Sequence, residues 1–192
     1  MYKNFNETYH FIDKFKEDDL IKLHNKISLI YRNYEKKINI NIIKKIKDFC
    51  KRTNRKFYLA NEIKLAVSLN LDGAYIPSFN KDFRHNSYIT KTNFKLIGSA
   101  HNLKEILIKQ TQNVDLIFIS PIYKTKKKKK FLDTYRFINL KKLTKKKVIA
   151  LGGINYSNFK KLRFTDCYGI ASISSIKSYY NGKSNQDNFK IF

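Results

Sequence analysis

Eight short apolar runs, rich in β-branched and aromatic residues, recur at residues 9–12, 27–32, 57–60, 74–76, 96–99, 116–121, 148–151 and 169–174, with longer amphipathic stretches between them. Strands buried on both faces read as continuous apolar runs, whereas the helices that cover them need only one apolar stripe. Alternation of the two is the pattern of consecutive βα units in a parallel sheet. Ile42, Ile43, Ile46 and Phe49 make one such stripe, and Leu103, Ile106 and Leu107 make another. Asn102, with Glu105 three residues on, and Asn155 stand where helix caps belong. Eight strands, each followed by a full or abbreviated helix, predict an α/β fold, a compact (β/α)8 (TIM) barrel. With 192 residues the chain lies just below the usual range for that architecture, so some helices must be short. One domain over residues 1–192 is expected.

The charge balance is extreme: 40 basic against 15 acidic residues, a formal net charge of +25. Hydrophobic residues at 42% and aromatics at 15% put that charge on a folded body rather than a disordered chain. A basic surface suits a nucleic-acid backbone. Yet the only arginines are Arg32, Arg52, Arg55, Arg84, Arg136 and Arg163, and phosphate and base readout favours the bidentate guanidinium. Lysine, asparagine, isoleucine, phenylalanine and tyrosine abound together, the mark of an AT-rich genome, so nucleic acid is the less favoured partner. No run approaches the roughly 18–20 apolar residues of a membrane span, and residues 1–10 lack an apolar leader. A membrane partner is therefore not expected and a cytoplasmic location is, with Cys50 and Cys167 as small buried side chains.

The sharpest punctuation is Leu151-Gly152-Gly153-Ile154-Asn155, where an apolar strand meets paired glycines and then a capped helix. Glycines there let main-chain N–H groups approach an anion, and the helix start adds partial positive charge. In a (β/α)8 barrel this is the loop after strand seven, and residues 173–175 end strand eight; that pair of loops commonly builds a phosphate site. The expected grip is the amides of Gly152, Gly153, Ile173 and Ser174, with the Ser174 hydroxyl as a further donor. Lysines crowd residues 124–130, readable as a solvated loop or as a mobile cationic flap over the active face. His101 follows strand five at the face where barrel chemistry is placed, and imidazole exchanges protons near neutral pH. No histidine has a second ligand at metal-binding spacing, so no metal residues are assigned.

The segments Gly98-Ser-Ala-His-Asn-Leu-Lys-Glu, Ser120-Pro-Ile-Tyr-Lys-Thr, Ala150-Leu-Gly-Gly-Ile-Asn and Gly169-Ile-Ala-Ser-Ile-Ser-Ser-Ile resemble, in order and spacing, the thiamine phosphate synthase and TenI superfamily. The resemblance is firm over residues 59–176. It implies a thiazole phosphate held by the Gly-Gly turn and the Ile-Ser strand end, and two activities. Synthases join an aminopyrimidine diphosphate to the thiazole phosphate with magnesium held by aspartates, and TenI-type enzymes shift a proton with the histidine of a Ser-x-His motif, here Ser99-Ala100-His101. The family's Gln-x-Arg-x-Lys falls on Ile30, Arg32 and Tyr34. Its Asn-Asp pair falls on Ala60 and Asn61, or on Asn61 and Glu62. Its His-Leu-Gly-Gln-x-Asp falls on Tyr75, Ile76, Pro77, Ser78 and Asn80. The threonine and lysine that follow strand six correspond to Thr125 and one of Lys126 to Lys128, with Lys128 taken here.

The expectation is thus a thiamine-biosynthesis enzyme acting on a thiazole phosphate, tautomerase-like or a diverged synthase. His101 is the catalytic candidate, and Gly152, Gly153, Ile173, Ser174, Thr125, Lys128 and Arg32 bind substrate, with Mg²⁺ as cofactor if synthase activity is kept. A non-catalytic phosphate-binding barrel is the alternative from another class.

Overall fold

The computed structural model describes residues 5–34, 38–125 and 130–173. Strands β1 (Glu7–Ile12), β2 (Ile27–Tyr31), β3 (Phe57–Ala60), β4 (Gly73–Ile76), β5 (Lys95–Ala100), β6 (Leu116–Ile119), β7 (Lys147–Leu151) and β8 (Gly169–Ser172) close into a barrel in sequence order. Every pair is parallel, and β8 returns to β1 with Tyr9 in register with Ala171. Alternating side chains separate two apolar layers. Tyr9, Phe11, Tyr58, Tyr75 and Phe118 fill the interior, while Leu29, Leu59, Ala74, Ile117 and Val148 face the helices.

The interior is packed solid by rings in edge contact. Tyr9 lies 5.0 Å from Phe118 and 5.7 Å from Tyr58, and Phe11 lies 5.1 Å from Tyr75. Such edge-to-face pairs match the positive ring edge to the negative ring face and add about 1 kcal/mol each beyond their burial. At the N-terminal end, Lys95 Nζ at the start of β5 bonds Glu7 Oε1 at the start of β1 across 2.8 Å, and the Tyr9 hydroxyl also donates to Glu7. Burial pushes the Tyr9 and Tyr58 phenols well above their usual range, so both stay protonated donors. Two aspartates repeat one device at that end. Asp72, just before β4, accepts from the Phe57 N–H at 2.9 Å, and Asp115, just before β6, accepts from the Leu96 N–H at 2.8 Å.

Helices α1 (Glu17–Leu20), α2 (Ile40–Arg52), α3 (Ile63–Ser68), α4 (Leu103–Thr111), α5 (Asp133–Lys142) and α6 (Tyr156–Leu162) lie between the strands. The shortness that the chain length demands is taken up by α1, α3 and α6, and by the β4–β5 connection, whose only helical piece is a 3₁₀ turn at Arg84–Ser87. α2 buries Ile43, Ile46, Phe49 and Cys50, about 2 kcal/mol for each large apolar side chain. Asn102 caps α4 by accepting from the Glu105 N–H at 3.0 Å. Asn155 and Asn158 form a reciprocal capping box at α6. The stripe expected on α4 is corrected: Leu103 and Leu107 are exposed, and the buried residues are Ile106 and Lys109. Both cysteines are buried and free. Among the described residues no helix is long and apolar enough to cross a membrane.

Candidate active site at the barrel mouth

The C-terminal ends of the strands converge on a mouth floored by Phe11, Tyr75 and Phe118. Tyr75 is held by a hydrogen bond with Ser99, and burial pushes its phenol up, so it remains neutral. Arg32 follows β2, its N–H bonded to the Ile12 carbonyl at 2.8 Å and its guanidinium 4.9 Å above the Phe11 ring. That stacking keeps a cation at the apolar rim.

Beyond β5 stands His101. Its main-chain N–H donates to Glu105 Oε2 at 2.7 Å, and its Nδ1 lies 2.5 Å from the Ser120 carbonyl oxygen. The Ser120 hydroxyl lies 3.2 Å from the same nitrogen. Because a carbonyl only accepts, the shorter contact favours the hydrogen on Nδ1, the tautomer that leaves the lone pair on Nε2. The chain after β6 brings Ser120 to this position. Its peptide bond to Pro121 is cis, and Ile122 and Tyr123 then run beside the end of β7, donating to Leu151 O at 3.0 Å and Gly152 O at 3.1 Å.

That close approach explains the glycine pair. Gly152 and Gly153 have φ of 93° and 71°, and a Cβ on Gly152 would lie 2.9 Å from the Pro121 Cβ, while one on Gly153 would strike the Tyr123 and Lys124 carbonyls. The hydrogen bonds that brace the turn take its carbonyls: Gly152 O accepts from Tyr123 N–H, and Gly153 O accepts from Asn158 Nδ2 at 2.8 Å. Thr125 packs beside Gly152.

The expected site residues therefore fall into two groups. His101, Thr125, Gly152 and Gly153 gather on the β5–β7 side. Arg32 and Ile173 share a cavity of about 450 Å³ on the β1–β2–β8 side, which Lys14 and Lys16 also line. Ser174 and Lys128 lie outside the described residues, as do most of the lysine run and the chain beyond residue 173.

This arrangement has known counterparts. A family model described as thiamine monophosphate synthase matches residues 19–176. The chain belongs to the thiamine monophosphate synthase family. It is 32% identical over 150 residues to the thiamine-phosphate synthase of Pelagibacter ubique, covering 74% of this chain and 72% of that one. It is 28% identical over 140 residues to the one from Clostridium novyi, covering 71% and 68%. Among solved structures, thiamine phosphate pyrophosphorylase from Pyrococcus furiosus superposes with a TM-score of 0.72 at 16% identity, covering 91% of this chain and 92% of that one. That likeness is one of fold.

The magnesium implied by the resemblance can be tested against the donors present. Mg²⁺ prefers hard, anionic oxygen and is usually held by one or two carboxylates together with substrate phosphates. Asn80 stands where the resemblance gives one aspartate, and Asn61 or Glu62 where it gives another. Asn80 Nδ2 donates to Asn61 Oδ1 at 2.8 Å, and Asn80 Oδ1 accepts from the Asp82 N–H at 2.8 Å. The Glu62 carboxyl next door is pushed up by burial. Among the described residues, no group of three or more His, Cys, Asp and Glu is placed to hold a metal ion. Glu62 is the one carboxylate at these positions, and the two asparagines offer magnesium only neutral amide oxygens already engaged in hydrogen bonds, a poor match to its preference for anionic donors.

Sequence reasoning missed the support beneath Asn80. Lys109 is fully buried, its Nζ bonded at 2.7 Å both to the Asn80 carbonyl and to Gln112 Oε1, and burial pushes its ammonium down to about 8. Gln112 Nε2 donates to Asn80 O at 3.2 Å and Asp82 O at 2.8 Å, and His85 Nε2 lies 2.9 Å from Gln112 O. One signal was available: Lys109 stands three residues after Ile106, on the helix face that must turn inward.

Proposed function

We propose that the barrel mouth binds a thiazole phosphate and that His101 moves a proton on it, as an isomerase of the tautomerase type within this family. The observation that carries the reading is the bond from His101 Nδ1 to the Ser120 carbonyl, formed beside the Gly152–Gly153 turn. It leaves Nε2 as the base. Nε2 removes a carbon-bound proton from the ring, the Nδ1–H bond to the carbonyl steadies the imidazolium so formed, and the proton is returned at a second ring position. No atom is gained or lost.

In this reading the phosphate is met by the amides of Gly152 and Gly153, beside Thr125. Arg32 closes the opposite edge. A second reading, synthase chemistry with an aminopyrimidine diphosphate, is favoured by the names of the relatives. The donor set at Asn61 and Asn80 counts against its metal-dependent form.

The experiment is turnover and binding of thiazole phosphate by wild type and His101→Ala. The expected outcome is a rate lower by about 10²- to 10⁴-fold with affinity nearly unchanged. Wild-type turnover that survives the substitution overturns the catalytic role. Product formed only when aminopyrimidine diphosphate is supplied would favour the synthase.

A further inference from the structure

The loop after β4 carries a single carboxylate, Asp82, against Lys81, Arg84 and Lys91. Asp82 is paired with a neighbouring cation. Arg84 Nε donates to its Oδ2 at 2.6 Å and the Arg84 N–H to its Oδ1 at 2.9 Å. Two residues back, the Asn80 side chain is tied to Asn61 across 2.8 Å, joining this loop to the end of β3.

Beneath the same residue sits Lys109. Its two hydrogen-bond partners, Asn80 O and Gln112 Oε1, are neutral oxygens, and among the described residues no carboxylate lies within ion-pair distance of its Nζ. The nearby acid on α4, Glu105, is occupied as a cap, bonded to the N–H of His101 and to the Asn102 side chain. The barrel makes room for this lysine: a Cβ on Gly98 would fall 2.8 Å from Lys109 Cδ. An ammonium in a poorly solvated place raises the local potential with little screening, which disfavours a divalent cation and favours an anion.

We propose that Asn61 and Asn80 form a charge-neutral clasp, seated on Lys109, that stands in a divalent cation's place at the β3–β4 rim, so that an anionic ligand binds at this mouth without metal. The part concerning the ligand rests on the function proposed above; the part concerning the clasp stands on the donor set alone. Lys109 is a positioning residue, acting through the Asn80 main chain.

The test uses the full chain with Mn²⁺ as probe, read from the electron paramagnetic resonance of the free ion, on wild type, Asn61→Asp/Asn80→Asp, and that double variant with Lys109→Met. Wild type should hold Mn²⁺ no more tightly than about 1 mM, the weak end of protein cation sites. The double variant should bind at least tenfold more tightly, and Lys109→Met should strengthen it again by removing the opposing charge. Asn80→Asp alone serves if the double variant fails to fold, with a smaller gain in the same direction.

Wild-type binding as tight as the double variant's, or no gain on introducing the carboxylates, overturns the clasp. In a parallel arm, thiazole phosphate should bind wild type equally, within twofold, in EDTA and in MgCl₂, and a tenfold requirement for magnesium overturns the proposal. Failure of thiazole phosphate to bind under either condition counts against the proposed function, and the Mn²⁺ arm still decides the clasp.

Discussion

The two sides of the barrel mouth are built from different materials. On the β5–β7 side, main-chain atoms take a leading part, with Glu105 and Asn158 in support: the Ser120 carbonyl meets His101 Nδ1, and two glycines with positive φ let the β6 and β7 loops touch. On the β3–β4 side, side chains lead, through an asparagine pair, a glutamine and a buried lysine. Main-chain geometry tolerates drift in most side chains but not in the glycines. A side-chain network has no fixed positions of that kind, and each member can be exchanged only together with its partners.

Substitutions on either side test the contrast. Gly153→Ala, which forces a Cβ against carbonyls at a positive φ, should cost about 3 kcal/mol in urea unfolding and abolish phosphate-ligand binding in calorimetry. Unchanged stability would mean that the β7 turn is not the fixed point. Lys109→Met comes next. The folded chain sheds the Lys109 proton near pH 8, whereas the unfolded chain keeps it to about 10.4, so between those values the unfolded state binds more protons. Wild-type stability should therefore rise relative to Lys109→Met as pH climbs through that window, by about 3 kcal/mol in parallel urea titrations. A flat difference would show that burial does not loosen the Lys109 proton and that the ammonium stays charged as it does in the unfolded chain.

Asn61→Ala leaves the Asn80 amide without its partner and should cost about 1 kcal/mol in the same assay, with the His101-dependent rate untouched. A lost rate would tie the two sides together. Arg84→Ala should have the smallest effect, no measurable change in the urea midpoint at physiological salt, because its pairing with Asp82 lies at the surface. Its consequence would appear instead as tighter Mn²⁺ binding once Asp82 is freed.

The same division governs what could be read without coordinates. All eight strands, and the caps at Asn102 and Asn155, follow from periodicity and local chemistry, because a strand's apolar run and a cap's side chain act over a few residues. The Gly-Gly turn was legible for the same reason. The Asn61–Asn80 bond joins residues 19 apart, and the Lys109 contacts with Asn80 span 29. No local pattern announces such pairs. Leu103 and Leu107 misled because the β4–β5 connection has no full helix for α4 to pack against, which leaves part of its expected stripe in water.

The tie between Glu7 and Lys95 at the far pole carries a consequence for traffic. With that pole knotted by charge and the bore stoppered by tyrosine and phenylalanine rings, the barrel is a shallow dish, not a tunnel. A ligand that enters at the C-terminal mouth has no second exit through the bore, so entry and departure share one side.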